Sequence, residues 1–255
     1  MKIDDLFHLK GKIAVITGAG KGLGRGYAEA LASAGCTCVC IGRNKEALDE
    51  TVALIHKESP ESMALSLDIS DVNNIETPIE KIISLFGRID ILINNAGTEI
   101  AKDFIDVTPD EYDAIMSVNM KGAYFLSQAV AKQMILQKQG KIINIASLGS
   151  YIGLAGSTVY CASKGAVLQF TKTLSIELSQ YNIQVNAIAP GYFLTDMTKP
   201  FFEDEEHRRW IENRIPIGRV GTSKDLAGTV IFLASSVSDY ITGQTIIVDG
   251  GWLAS

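Results

Sequence analysis

The chain of 255 residues is 47% hydrophobic and 20% charged, with a formal net charge of −6 at neutral pH. Apolar content of this order can fill a sizeable core, and the acidic balance argues against nucleic acid or an anionic membrane, leaving a small molecule as the expected partner. Residues 1–12 hold no apolar run of signal-peptide length, and no later run reaches the ~18 residues that span a bilayer, so a cytoplasmic protein is expected.

In chain order, short β-rich runs alternate with amphipathic segments. Strands are predicted at 13–17, 36–41, 64–67, 91–94, 141–145, 184–189 and 245–248, and helices at 23–34, 45–57, 72–86, 110–136, 159–179 and 223–234. Thr108-Pro109-Asp110-Glu111 offers a capping residue, a proline at the first helical position and acids in the first turn. The rhythm predicts an α/β fold, a seven-stranded parallel sheet doubly wound with helices on both faces. No repeat or linker divides it, so one domain over 1–255 is expected.

Cys36, Cys38 and Cys40 alternate on one strand face, while His8, His56 and His207 are scattered. This spacing suits buried reduced thiols, with no metal and no disulfide. Residues 191–221 break the alternation, contain Pro200 and Pro216, and carry a charged run at 203–209. An insertion of this length after a late strand is a candidate substrate lid, its charges reading as a solvated helix face.

Thr17-Gly18-Ala19-Gly20-Lys21-Gly22-Leu23-Gly24 follows the first strand and opens the first helix. Glycines there let backbone approach a pyrophosphate, which free N–H groups and the helix dipole stabilise. The second strand ends at Arg43-Asn44, where an acid would be expected to hold a free ribose 2′-hydroxyl. Arg43 instead suits a 2′-phosphate, with Lys21 as a second cation, which favours NADP(H) over NAD(H). Tyr160 and Lys164 lie one helical turn apart, about 6 Å along the axis. A phenol beside an ammonium can exchange a proton with a substrate oxygen that Ser147 orients, the division of labour carbonyl reduction needs.

Together the pattern T-G-x-x-x-G-x-G at Thr17, Gly18, Gly22 and Gly24, the run N-N-A-G from Asn94 to Gly97, and Y-x-x-x-K at Tyr160 and Lys164 resemble the short-chain dehydrogenase/reductase family over nearly the whole chain. The resemblance implies a Rossmann-type domain in which Tyr160 is the acid/base. Lys164 lowers its pKa and holds the nicotinamide ribose, Ser147 orients the substrate, and Asn119 fixes a water linked to Lys164. It also implies a cofactor cleft of Gly18, Gly20, Lys21, Gly22, Leu23, Gly24, Arg43, Asn44, Asp68, Ile69, Asn95, Ala96, Gly97, Tyr160, Lys164, Pro190, Gly191, Phe193 and Thr195. Gly20 departs from relatives that carry a side-chain donor there, leaving backbone donors to serve.

Within the family, residues 186–192 and 248–255 are most similar to 2-deoxy-D-gluconate 3-dehydrogenases and gluconate 5-dehydrogenases, which act on sugar acids. Many of those carry adjacent arginines after N-N-A-G; here stand Thr98-Glu99-Ile100-Ala101, and Glu99 would repel a carboxylate. A 3-oxoacyl-[acyl-carrier-protein] reductase shares the motifs and is the alternative, with a non-catalytic dinucleotide-binding protein more remote. The family's members usually form homotetramers through the helices at 110–136 and 159–179.

Overall fold

A computed structural model describes residues 6–196 and 198–255; residues 1–5 and 197, which belong to the N-terminal lead and the expected lid, lie outside the described residues. In chain order the elements are β1 (Ile13–Thr17), α1 (Gly22–Ser33), β2 (Thr37–Gly42), α2 (Lys45–Ile55), β3 (Met63–Ser66), α3 (Glu76–Phe86), β4 (Ile91–Asn94), α4 (Pro109–Met116), α5 (Ala123–Gln137), β5 (Gly140–Ile145), α6 (Thr158–Ser179), β6 (Ile183–Pro190), α7 (Lys199–Glu203), α8 (Glu205–Arg214), α9 (Ser223–Ala234) and β7 (Thr245–Val248). No helix among the described residues is long and apolar enough to cross a membrane.

The seven strands form one sheet in the order β3-β2-β1-β4-β5-β6-β7, every pairing parallel. Apolar residues at both parities of each central strand make this possible, because helices then cover both faces. On one face Ala14, Ile16, Cys36, Cys38 and Cys40 pack with Leu31 of α1 and Leu226, Val230 and Leu233 of α9. On the other, Ile13, Val15, Val39 and Ile41 meet Ile79 and Ile82 of α3 and Leu126, Val130 and Met134 of α5. The chain reverses its direction of winding between β1 and β4, so their carboxyl ends open a crevice where loops diverge.

The predicted helix at 110–136 is not continuous. Thr108 caps α4 in a reciprocal box, its hydroxyl accepting from Glu111 N while the Glu111 carboxylate accepts from Thr108 N. After Met116 the chain widens into a π-helical turn, Ser117–Gly122, before α5 begins. The helix predicted at 72–86 likewise starts as a separate 3₁₀ turn, Val72–Asn74. The lid expected at 191–221 holds α7 and α8, and its two ends are stitched together: Leu194 N donates to Gly221 O at 3.0 Å and Gly221 N to Tyr192 O at 2.8 Å. Its charges pair along α8, Arg208 with Glu212 and Arg209 with Glu205, as a solvated face should.

Gly122 and Gly228 make a controlled comparison. A Cβ on Gly122 would lie 2.6 Å from the Ile69 carbonyl oxygen, whereas one on Gly228, in mid-α9, meets nothing within 4 Å. Gly122→Ala is expected to lower the urea unfolding free energy by about 1–3 kcal/mol through overpacking, and Gly228→Ala to raise it by about 0.5–1 kcal/mol through helix propensity. Equal effects of the two substitutions on the urea midpoint would contradict the close α5-to-Ile69 approach.

Candidate active site

A cleft of about 840 Å³ runs across the carboxyl ends of the strands. Every sequence-predicted site residue lines it except Asn119, which is buried behind its wall.

The glycine turn is positioned by Thr17, whose buried hydroxyl accepts from Asn95 N at 3.0 Å and Ala96 N at 2.9 Å and donates to Ile93 O. The Asn95 amide returns the contact to Thr17 O at 2.8 Å, locking the ends of β1 and β4 together. Gly18 has φ +65° and Gly22 φ +54°, the left-handed region that favours glycine. A Cβ at Gly24 would stand 2.2 Å from Gly18 O and 2.6 Å from Asn95 Nδ2, so only glycine allows the turn to fold this tightly. Arg25 donates to Gly20 O at 2.6 Å, and the Thr51 hydroxyl donates to Ala19 O at 2.9 Å. Helix α1 has neither a side-chain cap nor an acid in its first turn. Its amino-terminal end therefore faces the cleft with its dipole uncompensated, which suits a pyrophosphate.

Farther along, Asn44 caps α2, its side chain accepting from Ala47 N at 2.9 Å. Asp68 accepts from Ser70 N at 2.9 Å and Ser70 Oγ at 2.7 Å. Burial works to raise its pKa, but those two hydrogen bonds and the nearby charge of Arg43 prevail and hold the carboxyl below its ordinary range. Lys21 does not join Arg43. Its ammonium pairs with Asp196 at 2.9 Å, next to the turn in which Thr195 N donates to Thr198 Oγ1.

At the reacting end, Ser147 opens a 3₁₀ turn, its oxygen accepting from Gly149 N at 3.1 Å, and Ser150 Oγ of the same turn donates to the Lys164 carbonyl at 2.8 Å. Residues 147–150 are thereby fixed to α6, and Ser147 lines the cleft together with Tyr160. Lys164 is 5% exposed; its ammonium donates to Ile145 O at 2.7 Å and lies 5.8 Å from the Tyr160 ring centroid. Burial pulls the Lys164 pKa down to about 8. Burial is also the main influence on Tyr160, pushing the phenol up to about 12, with the Ser147 hydroxyl drawing it back and the charges of Glu99 and Cys161 adding to the rise. The expectation that Lys164 acidifies the phenol is therefore not met in this arrangement, because the ammonium is anchored on a backbone carbonyl and the phenol is desolvated.

Asn119 sits in the π-helical turn, Oδ1 accepting from Thr98 N at 2.7 Å, Nδ2 donating to Thr98 O at 2.9 Å and to Ser163 Oγ at 3.0 Å. A Cβ on Gly97 would come within 3.4 Å of Asn119 Oδ1 and 3.5 Å of Lys164 Nζ, so this glycine brings the N-N-A-G backbone down onto both. On the far wall, Gly191 N donates to Val248 O at 2.9 Å, and a Cβ there would meet Asp249 Cα at 2.7 Å.

Sequence reading missed the Arg25 and Thr51 braces, which join residues far apart in the chain and leave no local pattern. It also missed the Ser157 hydroxyl donating to the Glu99 carboxylate at the mouth of the cleft. The Thr195–Thr198 turn was within reach, since two hydroxyl residues three apart are a turn signature.

Comparison with known proteins agrees with this geometry. A family model described as enoyl-(acyl carrier protein) reductase matches residues 18–253. A 2-dehydro-3-deoxy-D-gluconate 5-dehydrogenase of Dickeya dadantii is 45% identical over 97% of this chain and 98% of its own. A 5-keto-D-gluconate 5-reductase of Escherichia coli is 38% identical over 99% and 100%. A crystal structure of a gluconate 5-dehydrogenase from Burkholderia cenocepacia in complex with NADP and tartrate superposes with a TM-score of 0.96 at 37% identity, covering all of both chains. Likeness of this extent, running end to end in each relative, means that the chain belongs to the short-chain dehydrogenase/reductase family and is an oxidoreductase of alcohol and keto groups.

Proposed function

We propose that the chain interconverts a keto and a hydroxy form of a sugar acid of the gluconate type, with NADP(H) as cofactor and Tyr160 as the proton-transferring group. The observation that carries this reading is the convergence of the Tyr160 phenol and the Ser147 hydroxyl on one cleft with the Lys164 ammonium buried behind them. When bound, the nicotinamide supplies or accepts the hydride. The chain does the rest. Ser147 holds the substrate oxygen, Tyr160 gives it a proton in reduction and takes one in oxidation, and Lys164 keeps a positive charge near the oxygen as it becomes anionic. Asn119 is a positioning residue: its amide is committed to Thr98 and Ser163, and it holds the backbone of residues 97–98 over Lys164.

The dinucleotide is received by Gly18, Gly20, Gly22 and Gly24 on the phosphate side, by Asp68 and Ile69 at the adenine, and by Pro190, Gly191, Phe193 and Thr195 at the nicotinamide. The preference for NADP(H) rests on Arg43, which lines the cleft at the end of β2 where no acid stands. Sugar acids are favoured over acyl-carrier thioesters because the arginines beside the cleft offer no free basic patch to an acidic carrier: Arg208, Arg209 and Arg219 are paired with Glu212, Glu205 and Asp225. Segment 191–221 serves as the lid. We place the activity in the cytoplasm, where buried thiols such as Cys36, Cys38 and Cys40 stay reduced. The assembly is a homotetramer using α4, α5 and α6, which present Tyr112, Tyr124 and Phe125 outward and stack Tyr124 on Phe170.

Tyr160→Phe is expected to lower kcat by roughly 10²–10⁴-fold while NADPH binding, followed by fluorescence, changes by less than about threefold; retained turnover would remove Tyr160 from the chemistry. With the phenol held up at about 12, its base form is scarce at neutral pH, so kcat/KM for alcohol oxidation should climb through the alkaline range while ketone reduction stays flat. Ser147→Ala removes the influence that lowers this pKa, and should shift the rise to higher pH in a pH–rate profile. For the cofactor, Arg43→Ala should reduce kcat/KM for NADPH by roughly 10–100-fold and leave that for NADH nearly unchanged; a uniform loss with both would refute the 2′-phosphate contact.

A further inference from the structure

Beyond the reacting pair, the mouth of the cleft carries two charges that the mechanism does not use. Glu99 lines the cleft and takes the hydroxyl of Ser157, a buried residue at the start of α6. No cation pairs with it among the described residues: the nearby Lys102 is engaged by Glu111 at 2.8 Å. On the lid side stands Arg214, at the carboxyl end of α8. Its guanidinium lies 5.1 Å from the ring centroid of Trp252 and 5.8 Å from that of Trp210, and no carboxylate pairs with it, unlike Arg208, Arg209 and Arg219. Tyr192 connects the two charges. Its ring is 4.8 Å from Trp252, and its phenol, raised chiefly by burial, is pushed further up by Glu99 and drawn down by Arg214.

Resting on the reading of the chain as a sugar-acid dehydrogenase, we infer that Glu99 and Arg214 fix the direction in which the substrate lies, its hydroxyls donating to Glu99 and its carboxylate paired with Arg214. A carboxylate acts only as an acceptor, so Glu99 can receive the hydroxyls of a polyol but must repel a second carboxylate. A guanidinium held flat against indole rings keeps its N–H edge available for a carboxylate. Glu99 also acts on Tyr160, so the carboxylate of the substrate is kept away from the reacting carbonyl and the hydroxyl-bearing carbons lie beside it. Acids carrying the keto group several carbons from the carboxylate fit this arrangement; 2-oxo acids do not.

The test compares 5-keto-D-gluconate with its uncharged amide in NADPH-dependent reduction. The wild type should favour the acid by roughly tenfold or more in kcat/KM. Arg214→Gln should bring that ratio close to one through KM, with kcat within about twofold, and Arg214→Lys, which retains the charge, should restore most of it. Glu99→Gln should raise KM for acid and amide alike and leave their ratio in place. An acid-to-amide ratio that is the same in wild type and Arg214→Gln overturns the inference alone. A wild type that reduces neither compound, while reducing other ketones, overturns the sugar-acid reading and this inference with it.

Discussion

A lysine ammonium removed from water inside the protein is the constraint on which the rest of the site depends. Lys164 is tolerable there because it donates to the Ile145 carbonyl at the end of β5, which fixes α6 against the sheet at one height and one rotation. With α6 so placed, Tyr160 one turn earlier must face the strand ends, and the Ser147 turn, tied to the Lys164 carbonyl through Ser150, must face Tyr160. The reacting groups are therefore arranged by backbone contacts more than by contacts with one another.

The second fixed point is the Thr17 hydroxyl between β1 and β4. The parallel order of strands brings their carboxyl ends to one edge, and Thr17 with Asn95 turns two adjacent loops into a single rigid floor. Glycine at 18 and 24 lets that floor close to backbone contact distance, which leaves the amino end of α1 open to the cleft. Phosphate recognition and proton transfer thus sit at opposite ends of one cavity, held by two separate sets of hydrogen bonds.

Much of this was legible in the sequence because it is periodic or local. All seven strands lie where alternating apolar runs placed them, and the cap of α4 follows from Thr108, Pro109 and Glu111 standing in order. The interruption at Ser117–Gly122 was not legible, since a π turn keeps the apolar spacing of its flanking helices and its cause, Asn119 bonding to Thr98 and Ser163, lies in other segments. The charge state of the site was misjudged for a related reason. Spacing puts Lys164 beside Tyr160, but only the fold reveals that the ammonium is bound to Ile145 and that Glu99 shares the pocket. Lys21 is a third case, sequence placing it near a phosphate while the loop beyond β6 brings Asp196 to it.

The widened turn between α4 and α5 also bears on how this scaffold tolerates change. A winding that accommodates one residue more than the regular spiral is a stored insertion, and shortening the chain there by a single position would rotate everything after it by about 100°. Leu126, Val130 and Met134 would then turn from the sheet toward solvent, and Gly122 would leave the Ile69 carbonyl. Length at this point is therefore as constrained as residue identity, although nothing in the local composition marks it.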